Sequence, residues 1–277
     1  MRPHNAAAPP ALDGPLARRH RVSADGRGGP VLLMLHGFGT DQSVWSRIVP
    51  KLGEEYRVIR FDLAGAGPNA EKTFDPRRYG DIQAHVEDLL LLIDELGLKA
   101  FHFVGASVGG MIGALASIEK PALFRNLILL GSSPRYLNDQ GYYGGFEEKD
   151  LDGLFAAMNA DYRNWVSGFA PAAVRGVPDS AAVAEFAQSL FRLRPDIAIS
   201  SARAIFYSDF RARMPGITAK TSILQMPNDI AVPMEVGDFL NGRIGNSVLE
   251  VIDAEGHFPH LSKPAVVYDA LRRHLKR

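Results

Sequence analysis

The sequence predicts an α/β protein with a mostly parallel, doubly wound sheet and a helical lid inserted into it. Three observations support this fold class. Short, nearly continuous apolar runs alternate with helical patterns along most of the chain. One of these runs leads directly into a Gly-x-Ser-x-Gly turn and then into a helical pattern. A long segment in the second half has helical patterns but no convincing strand.

The strand candidates are short apolar runs with little alternation between apolar and polar residues. They cover residues 31–35, 57–62, 100–104, 126–131, 222–226 and 247–252. Such runs are typical of parallel strands covered on both faces. Helical patterns over residues 79–96, 109–119 and 266–275 lie between them. Strands that alternate with helices in this way predict a doubly wound core.

The segment 134–210 breaks this alternation. Its helical patterns cover residues 150–158, 162–169, 180–191 and 195–207. Open α/β sheets place their ligand sites at the carboxyl ends of the strands, so an inserted helical segment is expected to form a lid over that edge. Residues 16–133 and 211–277 then form the core, and residues 1–15 are expected to be a disordered extension.

Ser107 is the candidate nucleophile. It stands in the sequence Gly-Ala-Ser-Val-Gly, between an apolar strand candidate and a helical pattern. This context predicts a tight strand-to-helix turn that holds the serine hydroxyl above the sheet, at the N-terminus of a helix. Free N–H groups and the helix dipole favour developing negative charge at that place.

A serine hydroxyl becomes a good nucleophile when an imidazole takes its proton and an acid orients the imidazole. His257 and Asp229 are the best candidates, because both follow late strand candidates and the order Ser, Asp, His is the one found in hydrolases with this type of turn. Asp229 also fits a simple turn residue. Asp238, on an expected surface helix, and Asp253, four residues before His257, are competing acids.

Other histidines compete less well for the role of the base. His260 is expected in a loop or at the start of a helix, and His36 is expected to shape a loop. His102 is expected in the core, within a strand, with its ring nitrogens hydrogen-bonded. The remaining histidines are expected at the surface: His4, His20, His85 and His274.

An oxyanion hole needs two backbone donors. One is expected to be the N–H of Val108, directly after the nucleophile. The second is assigned to Phe38, in the sequence His-Gly-Phe-Gly after the first apolar run, where glycines allow the backbone to turn its N–H toward the site.

Composition excludes several classes of function. The 277 residues carry a formal net charge of +0 without a basic stripe, which argues against nucleic-acid and anionic-membrane binding. The absence of cysteine excludes thiolate metal sites and a cysteine nucleophile. We expect no metal and no cofactor. No apolar run approaches the ~20 residues of a membrane span, and the first fifteen residues lack the apolar region of a signal peptide, so a cytoplasmic location is expected.

Several long motifs then make the chain recognisable. They are HGFGTDQSVW at 36–45, SSPRYLND at 132–139, YYGGFE at 142–147, GFAP at 168–171, RPDIA at 194–198 and GHFPHLS at 256–262. The sequence resembles the RsbQ-like α/β-hydrolases, the group that contains the plant karrikin and strigolactone receptors, from Arg21 to His274. It departs from the usual family pattern at Ala106, where a histidine or similarly sized residue normally precedes the nucleophile, and in detail over residues 61–67.

This resemblance implies an α/β-hydrolase fold with a V-shaped lid of four helices after the sixth strand, and a deep apolar pocket that opens onto the serine. The substrate-binding residues that the resemblance implies are Phe38, Tyr136, Phe146, Leu154, Trp165, Phe169, Phe186, Ile205, Phe206 and Ile230. Trp165 and Phe169 also share a helix face by their spacing.

Two functions are favoured at this point, while a cofactor-free haloperoxidase or a carbon–carbon hydrolase, either of which would keep the same three residues, also stays open. The first is an enzyme that hydrolyses small apolar esters, lactones or enol ethers through Ser107, Asp229 and His257. The second is a small-molecule receptor that keeps the same residues and signals through a partner protein after binding or one slow turnover. Both need the same pocket, so the sequence does not separate them.

Overall fold

The computed structural model describes residues 12–26, 28–176 and 180–277, and a seven-stranded sheet crosses the centre of this part of the chain. Its strands are β1 (Ser23–Asp25), β2 (Val31–Leu35), β3 (Arg57–Phe61), β4 (Phe101–Ala106), β5 (Phe124–Leu130), β6 (Thr221–Gln225) and β7 (Ser247–Val251). Their spatial order is β1-β3-β2-β4-β5-β6-β7. Only the β1–β3 pair is antiparallel, so the predicted mostly parallel α/β fold is confirmed.

Burial along the sheet follows strand position. Every residue of β4 is buried, as are the last four of β2, because helices cover both faces at the centre. The first four residues of β7 are only partly buried and Val251 is exposed, since this strand forms an edge of the sheet. The short β1 was not predicted, because three residues without an apolar run give no strand signal.

Twelve α-helices accompany these strands in the described residues. They are α1 (Pro15–Arg19), α2 (Val49–Leu52), α3 (Ala70–Thr73), α4 (Gln83–Glu95), α5 (Val108–Glu119), α6 (Glu148–Ala160), α7 (Tyr162–Val174), α8 (Ala181–Phe191), α9 (Pro195–Phe206), α10 (Met234–Arg243), α11 (Pro259–Ser262) and α12 (Pro264–Leu275). Short 3₁₀ turns occur at Gln42–Trp45, Gly67–Asn69, Pro121–Leu123 and Arg211–Gly216.

Two helix boundaries differ from the sequence prediction by four residues or more. Helix α4 begins at Gln83 rather than at residue 79, just after a turn in which the Asp81 carboxylate accepts a hydrogen bond from the Gln83 N–H. Helix α7 continues to Val174 although Pro171 lies inside it. A proline removes one helical N–H donor but does not force the chain to leave the helix near its end.

The start of the described chain is more ordered than the predicted extension. Residues 1–11 lie outside the described residues, but Pro15 begins α1. The carboxylate of Glu95 accepts from the N–H groups of Leu16 and Ala17, at 3.1 and 2.7 Å. An acidic side chain at a helix N-terminus satisfies donors that have no intrahelical partner.

Helices α6–α9, which we call the lid helices, lie between β5 and β6. The resemblance implied a lid after the sixth strand; in this chain it follows the fifth, because only β1 precedes β2 in the described residues. Within the lid, α7 packs against α8 and α6 against α9. None of the helices in the described residues is both long and apolar enough to cross a membrane.

Candidate active site

The carboxyl ends of the parallel strands bring four loops together at one edge of the sheet. In the register of the sheet, Leu35 at the end of β2 pairs with Gly105 near the end of β4, and Gln225 at the end of β6 pairs with Val251. The loops that follow carry the sequence-predicted site residues. The sheet topology therefore places residues from four distant parts of the chain on the same edge.

Ser107 occupies a strained turn between β4 and α5. Its backbone has φ +52° and ψ −127°, a conformation that non-glycine residues rarely adopt. The turn is possible because Gly105 and Gly109 flank it. A Cβ on Gly105 would lie 2.4 Å from the Cα of Gly110, and one on Gly109 would lie 2.3 Å from the His36 carbonyl oxygen. Strain of this kind is typical of functional positions.

Ser107, His257 and Asp229 form one continuous hydrogen-bonded chain. The Nε2 atom of His257 lies 2.8 Å from Ser107 Oγ. Its Nδ1 atom lies 2.8 and 3.0 Å from the two carboxylate oxygens of Asp229. The Asp229 side chain is fully shielded from solvent and that of His257 nearly so. An imidazole held in this way takes a proton from the serine on one side while the carboxylate fixes its tautomer on the other.

Backbone donors hold the Asp229 carboxylate in place. Its Oδ1 atom accepts from the N–H groups of Ala231 and Val232, at 2.8 and 3.2 Å. The competing acids are elsewhere, because Asp253 is exposed and Asp238 is exposed on α10.

The loop after β2 lies directly against the nucleophile. A Cβ on Gly37 would lie 3.0 Å from Ser107 Cβ, and Gly39 has a left-handed φ of +73°. Val108 is the first residue of α5, so its N–H has no intrahelical acceptor. Phe38 and Val108, the residues expected to supply the oxyanion donors, both line a cleft at this place.

The lid touches the loop that carries His257 at two points. The backbone N–H of His257 donates to the carbonyl oxygen of Ala173, near the end of α7, at 2.7 Å. The ring of Phe258 packs against Phe186 of α8, with centroids 4.0 Å apart. Sequence reasoning missed the backbone contact, because it depends on where a helix ends and not on any side chain.

A side-chain bridge joins the same two regions. The Glu255 carboxylate accepts from Arg175, at the C-terminus of α7, at 3.1 Å and from Asn228, beside Asp229, at 3.3 Å. Arg175 and Asn228 both have left-handed backbone conformations, with φ of +54° and +56°. The end of α7 is thus tied to the loops of the base and of the acid.

One group of predicted pocket residues lies beside the nucleophile. Phe206 packs against Tyr136 and Phe146, with ring centroids 5.0 and 5.3 Å apart. Burial raises the pKa of Tyr136 well above its usual range, and the nearby Ser107 side chain opposes this rise. Tyr136 therefore lies near the candidate nucleophile.

A second group lies on the side of the base. Trp165 stacks on Phe169 with a centroid distance of 4.7 Å, and Phe169 lies 6.0 Å from Phe186. Through Phe186 this row reaches Phe258, next to His257. Leu154 is half-buried on α6, and Ile230 is 40% exposed directly after Asp229, which places much of its surface outside a buried pocket wall.

The cleft beside the oxyanion loop has a different lining. It contains about 480 Å³ of space not filled by protein atoms, its open mouth included. Of the residues predicted for the site, Phe38, Val108 and Ile205 line it, and the other predicted residues do not. The rest of the wall comes from residues 36–40, 63–66, Tyr79, Ile82, His85, Leu193, Ser201 and Ala204.

The histidines outside the hydrogen-bonded chain correct several predictions. His36 is a loop-shaping residue as predicted, since its ring bonds to the Gly37 carbonyl oxygen and the Leu63 N–H, at 2.8 and 3.0 Å. His260 lies in α11, stacked on Trp45. His102 is buried as predicted, but its Nδ1 atom has no hydrogen-bond partner among the described residues, so it is not satisfied.

Three predictions of surface histidines are wrong. His20, His85 and His274 are buried, and only His4 lies outside the described residues. A signal for His85 was present in the sequence, because it shares the apolar stripe of α4 with residues 82, 86 and 89. No group of three or more metal-ligating side chains occurs in the described ranges.

A mostly parallel sheet that presents a strained serine and a neighbouring histidine at its carboxyl edge defines the class of α/β hydrolases. The chain belongs to the α/β-hydrolase family, and residues 30–264 match the sequence profile of that fold.

Named relatives are similar over nearly the whole chain. A probable esterase from Oryza sativa subsp. japonica is 48% identical over 94% of this chain and 96% of its own. A strigolactone esterase from Arabidopsis thaliana is 45% identical over 92% and 96%. A karrikin insensitive 2 receptor from Petunia hybrida is 44% identical over 95% and 97%. Within the family, the chain therefore belongs to the group of karrikin and strigolactone receptors and esterases. Among solved structures, a hydrolase from Oleispira antarctica superposes with a TM-score of 0.90 at 29% identity, over 95% and 97%.

Proposed function

We propose that this protein is a serine hydrolase of small apolar esters, lactones or butenolide enol ethers. Ser107 acts as the nucleophile, His257 as the general base and acid, and Asp229 as the orienting carboxylate. The hydrogen-bonded chain through these three residues, with distances of 2.8 Å on each side of the imidazole, is the observation that carries this proposal. The esterase names of relatives that are 45–48% identical support it.

The acylation step follows from this geometry. Ser107 Oγ gives its proton to His257 Nε2 and bonds to the substrate carbonyl carbon, while the N–H groups of Phe38 and Val108 donate to the oxygen that becomes negative. The bond between that carbon and the leaving oxygen then breaks, and the leaving oxygen takes the proton from Nε2.

Deacylation repeats the sequence with water. Water gives one proton to Nε2 of His257, and its oxygen bonds to the acyl carbon. The bond to Ser107 Oγ then breaks, and Oγ takes the proton back. Throughout, the buried carboxylate of Asp229 stabilises the imidazolium and keeps the ring in one orientation.

The apolar side chains around the site support a hydrophobic substrate. We assign the predicted pocket residues that lie outside the cleft to contacts on the side of the nucleophile and the base, where Tyr136 lies near Ser107 and Phe186 packs against Phe258. Residues 134–210 act as the lid, and residues 16–133 and 211–277 form the core. We also propose a cytoplasmic location.

The test is a progress curve for a fluorogenic butenolide enol ether in excess over the protein, with the wild type and Ser107→Ala. We expect sustained turnover with the wild type and no turnover with Ser107→Ala at an unchanged circular dichroism spectrum. Equal turnover by both proteins would refute the role of Ser107.

A second function is favoured by the contacts between the lid and the base. Because Ala173 of α7 accepts from the backbone of His257, a ligand that changes the position of the base also changes the end of a lid helix. A receptor needs this kind of link, since a ligand signals by binding two states of the protein differently. We propose, as the alternative, a receptor of the RsbQ, karrikin and strigolactone type that signals through a partner protein.

The same progress curve separates the two functions. A burst of about one equivalent of product followed by a stall supports the receptor, and continuous release supports the enzyme. Hydrogen exchange of α7 with and without the ligand gives a second readout. The receptor requires changed protection at residues 170–176, and unchanged protection there would count against it.

A further inference from the structure

The position of the cleft beside the oxyanion loop indicates which part of an ester substrate can occupy it. In the acylation step the leaving oxygen must lie next to His257 Nε2, so the alcohol part of an ester extends on the side of the base. The cleft contains no residue of the loop 253–258 and no residue of the loop around Asp229. It opens instead beside Phe38 and Val108, the proposed oxyanion donors. The acyl part of an ester is therefore the part that can extend into it.

The polar groups in the wall of this cleft are mostly engaged already. His36 uses both ring nitrogens on backbone groups, and the Thr40 hydroxyl donates to the Gly37 carbonyl oxygen at 2.9 Å. The Tyr79 hydroxyl donates to Asp88 at 2.7 Å and accepts from Arg19 at 3.0 Å. These groups shape the wall but have little capacity left for a ligand.

His85 is different from these residues. It lines the cleft with only 9% of its surface exposed. Neither ring nitrogen has a hydrogen-bond partner in the described part of the chain, and Nδ1 is the one that is fully shielded, which leaves Nε2 as the nitrogen a ligand could reach. The ring is held in place by stacking on Tyr79, with centroids 4.7 Å apart. Burial lowers the pKa of His85 to about 4, so the imidazole is neutral at pH 7 and has one donor and one acceptor nitrogen.

Buried polar groups usually find partners, so an imidazole in a cleft wall with both nitrogens unpartnered can be satisfied by a ligand through its Nε2 atom. The opposite wall is formed by α9, where Ser201, Ala204 and Ile205 face the same space. Only small and apolar side chains and one further hydroxyl therefore surround the imidazole on that side.

We propose that this cleft is the acyl-binding subsite of the protein and that His85 selects acyl groups carrying a hydroxyl or carbonyl group. The proposal rests on the proposed serine hydrolase function. It adds a residue that recognises substrate at a place outside the apolar pocket that the sequence motifs imply.

The test uses two p-nitrophenyl esters with the same leaving group and acyl groups of the same shape, 3-hydroxybutanoate and 3-methylbutanoate. A hydroxyl both donates and accepts, so either tautomer of His85 pairs with it. One neutral hydrogen bond contributes about 1 kcal/mol, which corresponds to about a fivefold preference in kcat/KM. We expect His85→Phe, which keeps an aromatic ring against Tyr79, to lower the hydroxy/methyl ratio of kcat/KM by about fivefold.

His102→Phe is the matched control. His102 is also a buried histidine with an unpartnered Nδ1 atom, and burial likewise lowers its pKa, but it lies in β4 and does not line the cleft. We expect it to leave the ratio unchanged. An unchanged ratio in His85→Phe, with both esters still hydrolysed through Ser107, overturns the subsite while the proposed function stands.

A binding measurement tests the subsite even if the protein hydrolyses the esters slowly or not at all. Dissociation constants of the two methyl esters are measured for Ser107→Ala with and without His85→Phe, by ligand-observed NMR. We expect His85→Phe to remove the preference for the hydroxy ester. If the preference disappears there although the wild type hydrolyses neither ester, the subsite stands and the proposed function fails. If Ser107→Ala binds the two esters equally well, the proposed subsite is wrong. It is also wrong if the double variant Ser107→Ala, His85→Phe still prefers the hydroxy ester.

Discussion

Asp229→Asn tests the orienting role of the carboxylate most sharply, because the structure decides how the new amide must lie. The Oδ1 atom of Asp229 accepts from the N–H groups of Ala231 and Val232, at 2.8 and 3.2 Å. An asparagine must keep its carbonyl oxygen there, since an NH₂ group would face two donors. Its NH₂ group then takes the place of Oδ2, which lies 2.8 Å from His257 Nδ1.

This orientation favours the wrong tautomer of His257. The oxygen nearer to Nδ1, Oδ2 at 2.8 Å against 3.0 Å for Oδ1, becomes an NH₂ donor, so Nδ1 accepts and the imidazole proton moves to Nε2. A protonated Nε2 cannot take the proton of Ser107 Oγ, which lies 2.8 Å away. In a serine hydrolase with this arrangement the loss is about 10⁴ in kcat, or about 5 kcal/mol in the activation barrier.

The assay measures kcat for a p-nitrophenyl ester at pH 7, together with the ¹⁵N chemical shifts of His257. We expect the proton on Nδ1 in the wild type and on Nε2 in Asp229→Asn, with similar unfolding curves in urea. Asp253→Asn is the matched control, because Asp253 is an exposed carboxylate four residues before His257. It is expected to retain at least half of the activity. The reasoning is refuted if Asp229→Asn keeps more than a tenth of kcat, or if Asp253→Asn loses as much.

Three further predictions concern stability and ligand affinity. Burial lowers the pKa of His85 to about 4 and that of His260 to about 3, so below pH 6.5 the unfolded chain binds more protons than the folded one. As the pH is lowered, the free energy of unfolding then falls by up to about 1.4 kcal/mol per pH unit for each histidine. In urea unfolding measured between pH 7 and pH 5, the free energy of unfolding of His85→Phe should depend less steeply on pH than that of the wild type. An equal dependence on pH would contradict this account. Gly105→Ala places a Cβ 2.4 Å from the Cα of Gly110, in the helix after the nucleophile. It should lower the free energy of unfolding in urea by about 3 kcal/mol or more. Gly153→Ala is the control, since no atom lies within 4 Å of its new Cβ, and it should not lower the free energy of unfolding. Trp165→Ala removes a half-buried ring that stacks on Phe169 with a centroid distance of 4.7 Å. It should weaken ligand binding about tenfold with little change in melting temperature. A large fall in melting temperature at unchanged affinity would assign the ring to lid packing.

Much of the fold was predictable because the parallel strands are apolar over their whole length. The pattern located β2 to its residue bounds and the other parallel strands to within a few residues. It missed β1, whose three residues are held by pairing with β3 rather than by their own composition. The structure also brings Ser107, Asp229 and His257, the residues selected from the sequence, within hydrogen-bond distance, because each follows a strand and the topology brings strand ends to one edge.

Contacts that depend on tertiary packing were not predictable in the same way. The spacing of His85 along the apolar stripe of α4 favours burial, but the pattern does not show which surface covers it, and the prediction of a surface position was wrong. Similarly, the cleft beside Phe38 depends on the distance between α9 and residues 63–66, and no local sequence pattern specifies that distance.

The contact between the lid and the base gives the enzyme and receptor functions a common physical basis. Where α7 ends, the carbonyl of Ala173 lacks an intrahelical donor, and the backbone N–H of His257 supplies one. Glu255 joins the same helix end, through Arg175, to Asn228 beside the acid. A displacement of α7 therefore changes the position of the base relative to Ser107. In an enzyme this link keeps the base aligned while the lid is closed, and in a receptor it transmits the state of the bound ligand to the lid surface.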